Sequence, residues 1–74
     1  MKITYDKEVD ALYITLIEGK HQIRTVRLTE EIALDFAKGE QLAGIEILDA
    51  SKVLGKGHLP KLILENIPYQ VKAA

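Results

Sequence analysis

Apolar and polar residues alternate along this chain in short runs, and turn residues separate the runs. That period of two marks β-strands rather than helices. Residues 1–5 alternate, with Ile3 and Tyr5 on one face. Residues 11–18, "ALYITLIE", form the strongest run: Leu12, Ile14 and Leu16 point one way, and Tyr13, Thr15 and Ile17 the other. Both faces are largely apolar, as in a strand covered on both sides. Gly19 and Lys20 suit a two-residue hairpin link. In residues 22–28, Val26 and Leu28 share one face, and Ile23, Thr25 and Arg27 the other. Ile32, Leu34 and Phe36 alternate with Ala33 and Asp35. After a turn at Lys38 and Gly39, Ala43, Ile45 and Ile47 share a face. Short links between consecutive strands predict antiparallel pairing, and hence a β-meander of about five strands.

The pattern changes after Leu48. "DASKVLG", residues 49–55, predicts one helical turn, with Asp49 or Ser51 as N-cap and Gly55 as a left-handed stop. Residues 59–67 fit a short helix starting at Pro60, with Leu59, Leu62, Ile63 and Ile67 at three-to-four spacing. They also fit an edge strand; the helix is the reading preferred here. The expected fold is α+β: a small antiparallel meander with a short C-terminal helical segment. It forms a single domain over residues 1–74, with its core in 1–54 and a C-terminal segment in 55–74.

Composition sharpens this picture. The chain has 74 residues, 47% of them hydrophobic, with three Tyr, one Phe and no Trp. Its core must rest on Ile, Leu and Val, and a core of this size supplies only about 3–5 kcal/mol. There is no cysteine, which excludes disulfides and thiolate zinc sites. Self-association is the expected extra source of stability. Ten basic and eleven acidic residues leave a net charge of −1, unlike the basic stripe of a nucleic-acid binder. No apolar run approaches the roughly 20 residues of a membrane span, and no secretory segment follows Met1. A cytoplasmic protein is expected, without nucleic-acid or membrane partners.

Candidate chemistry is sparse. Asp6, Glu8 and Asp10 have the i, i+2, i+4 spacing that opens a calcium loop of the EF-hand type. The comparison then fails, because the sixth position is Ala11 rather than Gly and the twelfth is Ile17 rather than Glu. These carboxylates are weak metal candidates, and a polar turn whose Asp side chains bond local N–H groups is the expected reading. Arg27, Asp35 and Glu46 share an outward parity and predict cross-strand ion pairing. His21 and His58 have no metal-ligand spacing, Ser51 lies in no nucleophile elbow, and "GKGH" is no phosphate loop. Nothing points to a cofactor. If the Leu12, Ile14 and Ile45 face forms the core, then Tyr13, Ile17, Ile23 and Leu48 remain as a second apolar surface. Those four are the expected interface of a homodimer or of a heteromeric complex, unless the C-terminal segment covers them within the monomer.

Two stretches carry a family resemblance. One is "KITYDKEVDALYITL", residues 2–16, with Tyr5, Asp6, Asp10, Ala11, Leu12, Tyr13 and Ile14. The other is "GIEILDASKVL", residues 44–54, with Gly44, Glu46, Ile47, Leu48, Asp49, Ala50 and Ser51. Together they resemble family 2283 of the domains of unknown function, small bacterial and archaeal proteins. The resemblance implies a small β-meander with a helical C-terminal part and no established activity. It also suggests an antitoxin-like partner of a small RelE-like toxin. The residues themselves favour a non-enzymatic, self-associating protein-binding module. A metal-dependent enzyme using Asp6, Glu8 and Asp10, with Glu46, is a further alternative. In the preferred reading the motif residues are structural: Asp6 and Asp10 order the first connection, Gly44 permits a bulge or close approach, and Asp49 caps the following turn.

Overall fold

The computed structural model describes residues 1–72 of the chain. Its elements are β1 (Lys2–Asp6), β2 (Ala11–Thr15), β3 (Arg24–Arg27), β4 (Ile32–Ala37), β5 (Gln41–Ile47) and α1 (Ala50–Leu54). The strands form one antiparallel sheet in the order β1-β2-β5-β4-β3. This is the small α+β sheet expected from the alternation, and α1 occupies the "DASKVLG" stretch.

One pairing differs from a strictly sequential meander. The hairpin expected at Gly19 and Lys20 does not form: β2 ends at Thr15, β3 begins at Arg24, and β2 pairs with β5 instead. The β1–β2 hairpin therefore docks on a β3–β4–β5 meander. The residues explain the choice. β2 is apolar enough to need a neighbour on each side, and β5 brings Ile45 opposite Ile14 and Ile47 opposite Leu12. β3 carries Arg24 and Arg27, whose charges an edge position keeps in water. The contact continues beyond Thr15, where the amides of Leu16 and Ile17 both donate to the Ala43 carbonyl. Two residues thus oppose one, as at a bulge. A second register shift falls between Asp35 and Phe36 against β5.

The register sorts the side chains into two unlike faces. Ile3, Leu12, Ile14, Ile45, Ile47, Ile32, Leu34 and Val26 share the apolar face. Thr4, Tyr13, Glu46, Ala33, Asp35, Thr25 and Arg27 share the other. Ile47 sits between Leu12 and Ile32 and is 8% exposed. The remaining buried hydrophobic residues are Ala33, Ala37, Ala43 and Ala50. Among the described residues, no large side chain is completely enclosed. The apolar face is consequently only half-covered by its own chain.

Residues 59–72 form neither the helix nor the edge strand expected for 59–67. Pro60 and Pro68 bracket a stretch too short and too poorly covered to fix a helix, and isolated short helices are marginal in water. Among the described residues, no helix is long and apolar enough to cross a membrane.

Ile47 anchors the sheet centre, so Ile47→Ala should cost about 2–4 kcal/mol. Ile23→Ala, at an exposed position, should cost under about 0.5 kcal/mol. Urea denaturation followed by circular dichroism measures both.

Candidate functional site

The densest polar cluster forms around Asp10, at the end of the β1–β2 turn. Its backbone is left-handed (φ 53°), a conformation Asp tolerates better than most residues. Its carboxylate accepts hydrogen bonds from the Tyr5 hydroxyl at 2.7 Å, the Ser51 amide at 3.0 Å and the Ser51 hydroxyl at 2.6 Å. Its carbonyl accepts the Ala50 amide at 2.9 Å. Asp10 thus caps α1 from 41 positions away in the chain. A five-residue helix has almost no stability of its own, so this external cap explains why it forms here. Ala50 lies completely buried at the junction. The hydrogen bond from the Ser51 hydroxyl, then that from Tyr5, holds the Asp10 carboxyl below its usual range. The same carboxylate raises the Tyr5 hydroxyl above its ordinary value.

This arrangement corrects two expectations about α1. Asp49 occupies the N-cap position in a left-handed conformation but makes no side-chain cap bond, and Ser51 is itself bonded to Asp10. Gly55 is not left-handed (φ −136°). A side chain there would instead strike the His58 carbonyl.

On the polar face, long side chains lie across small ones. Tyr13 of β2 reaches over Gly44 of β5, and its hydroxyl donates to Asp35 of β4 at 2.5 Å. The other Asp35 oxygen accepts the Thr25 hydroxyl of β3 at 2.6 Å. This chain of bonds ties β2 to β3 across the two strands between them. A methyl group on Gly44 would collide with the Tyr13 ring and hydroxyl, so close approach is what Gly44 permits. The Asp35 hydrogen bond, followed by burial, pushes the Tyr13 hydroxyl up to about 12. Arg27 of β3 similarly spans Ala33 of β4 to reach Glu46 of β5 at 3.0 Å. Ala33 is 1% exposed beneath this bridge. Both charged ends remain hydrated, so the ion pair itself adds little; it shields the alanine with aliphatic stem.

The remaining candidate residues divide clearly. Asp6 accepts the Glu8 amide at 3.0 Å, a local turn bond of the expected kind, while Asp10 faces α1. Among the described residues, no group of three or more His, Asp or Glu side chains is placed to hold a metal ion. Asp35 belongs with Tyr13 and Thr25 rather than with Arg27 and Glu46, although all share one face. Tyr13, Ile17 and Ile23 line one shallow recess, with His21 at its rim. The His21 ring nitrogen Nε2 lies 2.7 Å from the Glu18 carbonyl oxygen. Leu48 is half-buried elsewhere, and its amide donates to Glu31.

Every long-range contact just described involves the first or last third of residues 2–51. A family model described as "Protein of unknown function (DUF2283)" matches that same span. The chain belongs to this family. No curated protein and no solved structure matches it. In this DUF2283 chain, the two motif stretches contact each other: Asp10 binds Ser51 and Ala50, and Tyr13 covers Gly44. Sequence reasoning missed the Asp10–Ser51 tie, because no local pattern marks a bond between turns so far apart. A glycine in the interior of β5 is a visible signal for the close approach of Tyr13.

Gly44→Ala should destabilise the fold by about 1–3 kcal/mol through overpacking. Adding Tyr13→Ala should then cost less than it does in the wild type. Chemical denaturation of the four proteins in this cycle measures the coupling. The Asp10 tie should fail in acid. A carboxyl held low in the fold stabilises above its unfolded value near 3.8, and that contribution disappears as pH falls through the folded value. The melting difference between wild type and Ser51→Ala should therefore shrink below about pH 4.

Proposed function

We propose that this DUF2283 protein is a self-associating protein-binding module, whose fold is completed by a second copy of the chain. The observation that carries this reading is surface area. A compact monomer of this mass, 8.3 kDa, would expose about 4,600 Å². The chain exposes 6340 Å². The excess, about 1,700 Å², is roughly twice what each partner buries in an interface of standard size.

The exposed large apolar side chains suggest where the second copy binds. Ile3 (44% exposed) on β1 and Leu62 (66%), Leu64 (41%) and Ile67 (45%) of the C-terminal segment line one apolar groove. Ile17 and Ile23, expected at the interface from sequence, remain accessible at the recess on the polar face and form a secondary contact in this reading. Tyr13 contributes mainly through its bond to Asp35. The polar groups of the two motifs are spent on one another, which supports a structural part for them rather than chemistry.

Sedimentation velocity across a dilution series from 100 μM to 0.1 μM tests the proposal. A dimer is expected at micromolar concentration, and Leu64→Asp should weaken it at least tenfold without loss of sheet content. A folded wild-type monomer at every concentration overturns the reading and leaves the groove to a foreign partner, such as the toxin-like protein suggested by the family resemblance.

A further inference from the structure

We infer that two copies join through β1, antiparallel and centred on Thr4, to make one continuous ten-stranded sheet. The inference rests on the self-association proposed above and specifies its geometry. β1 and β3 are the two edges of the sheet, and among the described residues β1 pairs only with β2. An unpaired edge is a template for another strand. β3 is guarded against such pairing: Arg24 stacks over Phe36, with 5.1 Å from guanidinium to ring centre, and bonds Glu40 at 2.6 Å. Arg27 is committed to Glu46. An added strand on that side would meet charged side chains at both ends of a four-residue element.

β1 also carries a charge at each end, but the two, Lys2 and Asp6, are of opposite sign, whereas both ends of β3 are arginine. The β1 sequence, Lys-Ile-Thr-Tyr-Asp, is complementary to itself when reversed. A two-fold axis at Thr4, perpendicular to the sheet, sets Lys2 opposite the partner's Asp6 and Ile3 opposite the partner's Tyr5. Directly opposed residues of an antiparallel pair share a face, so the charged pairs fall on the polar face and the apolar pairs on the apolar face. A register centred on Ile3 or Tyr5 loses both Lys–Asp pairs. Only the Thr4 register joins the two apolar faces and satisfies four charges at once. It also brings the two grooves lined by Ile3, Leu62 and Leu64 to either side of the axis.

Charge exchange at β1 tests this geometry. Lys2→Asp alone sets Asp against the partner's Asp6 twice, and Asp6→Lys alone sets Lys against the partner's Lys2 twice. Each single variant should dimerise at least tenfold more weakly than wild type. An equimolar mixture of the two should recover dimers, because each unlike pair is restored. Asp6 also accepts the Glu8 amide, so a second measurement guards against a folding defect. Thr4→Cys, in a chain with no other cysteine, should form a disulfide dimer on mild oxidation. Opposed Cα atoms on the axis lie about 5 Å apart, within disulfide reach. Lys2→Cys should not, since its two copies would stand about 14 Å apart along the strands. A wild-type dimer with no loss in either charge variant and no Thr4→Cys cross-link overturns the β1 geometry alone. A wild-type monomer overturns both this inference and the proposal beneath it.

Discussion

The fold depends on the docking of β2 against β5, two strands with half of the matched region between them. Antiparallel neighbours joined by a short turn pair with little entropic cost, but this pairing must close a long loop before any contact rewards it. Three devices secure it. Ile45 and Ile47 meet Ile14 and Leu12 on the apolar face. Tyr13 crosses Gly44 to Asp35 on the polar face. Asp10 captures Ser51 and Ala50 beyond the end of β5. Without them the β1–β2 hairpin and the β3–β4–β5 meander would be two pieces, each too small to hold a core.

The two faces solve different problems. On the polar face, Ala33 and Gly44 leave troughs that Arg27 and Tyr13 fill lengthwise. Polar side chains thus cover the sheet without a second layer of structure. On the apolar face the described residues form no second layer. Helix α1 is five residues long and residues 59–72 stay largely exposed. A sheet hydrophobic on one face gains stability by burying that face against another layer, and the second copy proposed above would supply part of that burial. The proposed edge pairing extends the sheet in its own plane through β1, the most exposed strand, and buries apolar surface at the seam, around Ile3 and the grooves beside it, rather than across the whole face.

Strand positions, the β4–β5 hairpin and the helix after Leu48 were legible from alternation and turn residues, because each depends on neighbours in sequence. The turn role of Asp6 was legible for the same reason. The β2–β3 hairpin was misread. Gly19 does take positive φ (94°), but local turn chemistry cannot show that another strand will compete for β2. The 59–67 helix was misread because its three-to-four spacing meets no surface able to fix it. The site residues divide likewise: Arg27 and Glu46 were grouped correctly by parity, whereas Asp35 proved to serve Tyr13 and Thr25.

Period, turn type and composition act within a few residues, and so they already fix the set of strands, the alternation of side chains between two faces and the lack of any disulfide. Folding settles which strand lies beside which, that Asp10 caps a helix forty-one positions on, and that the apolar face is left half-covered by the described residues. Those outcomes turn on competition between distant partners for the same edge, and only the folded arrangement resolves that competition.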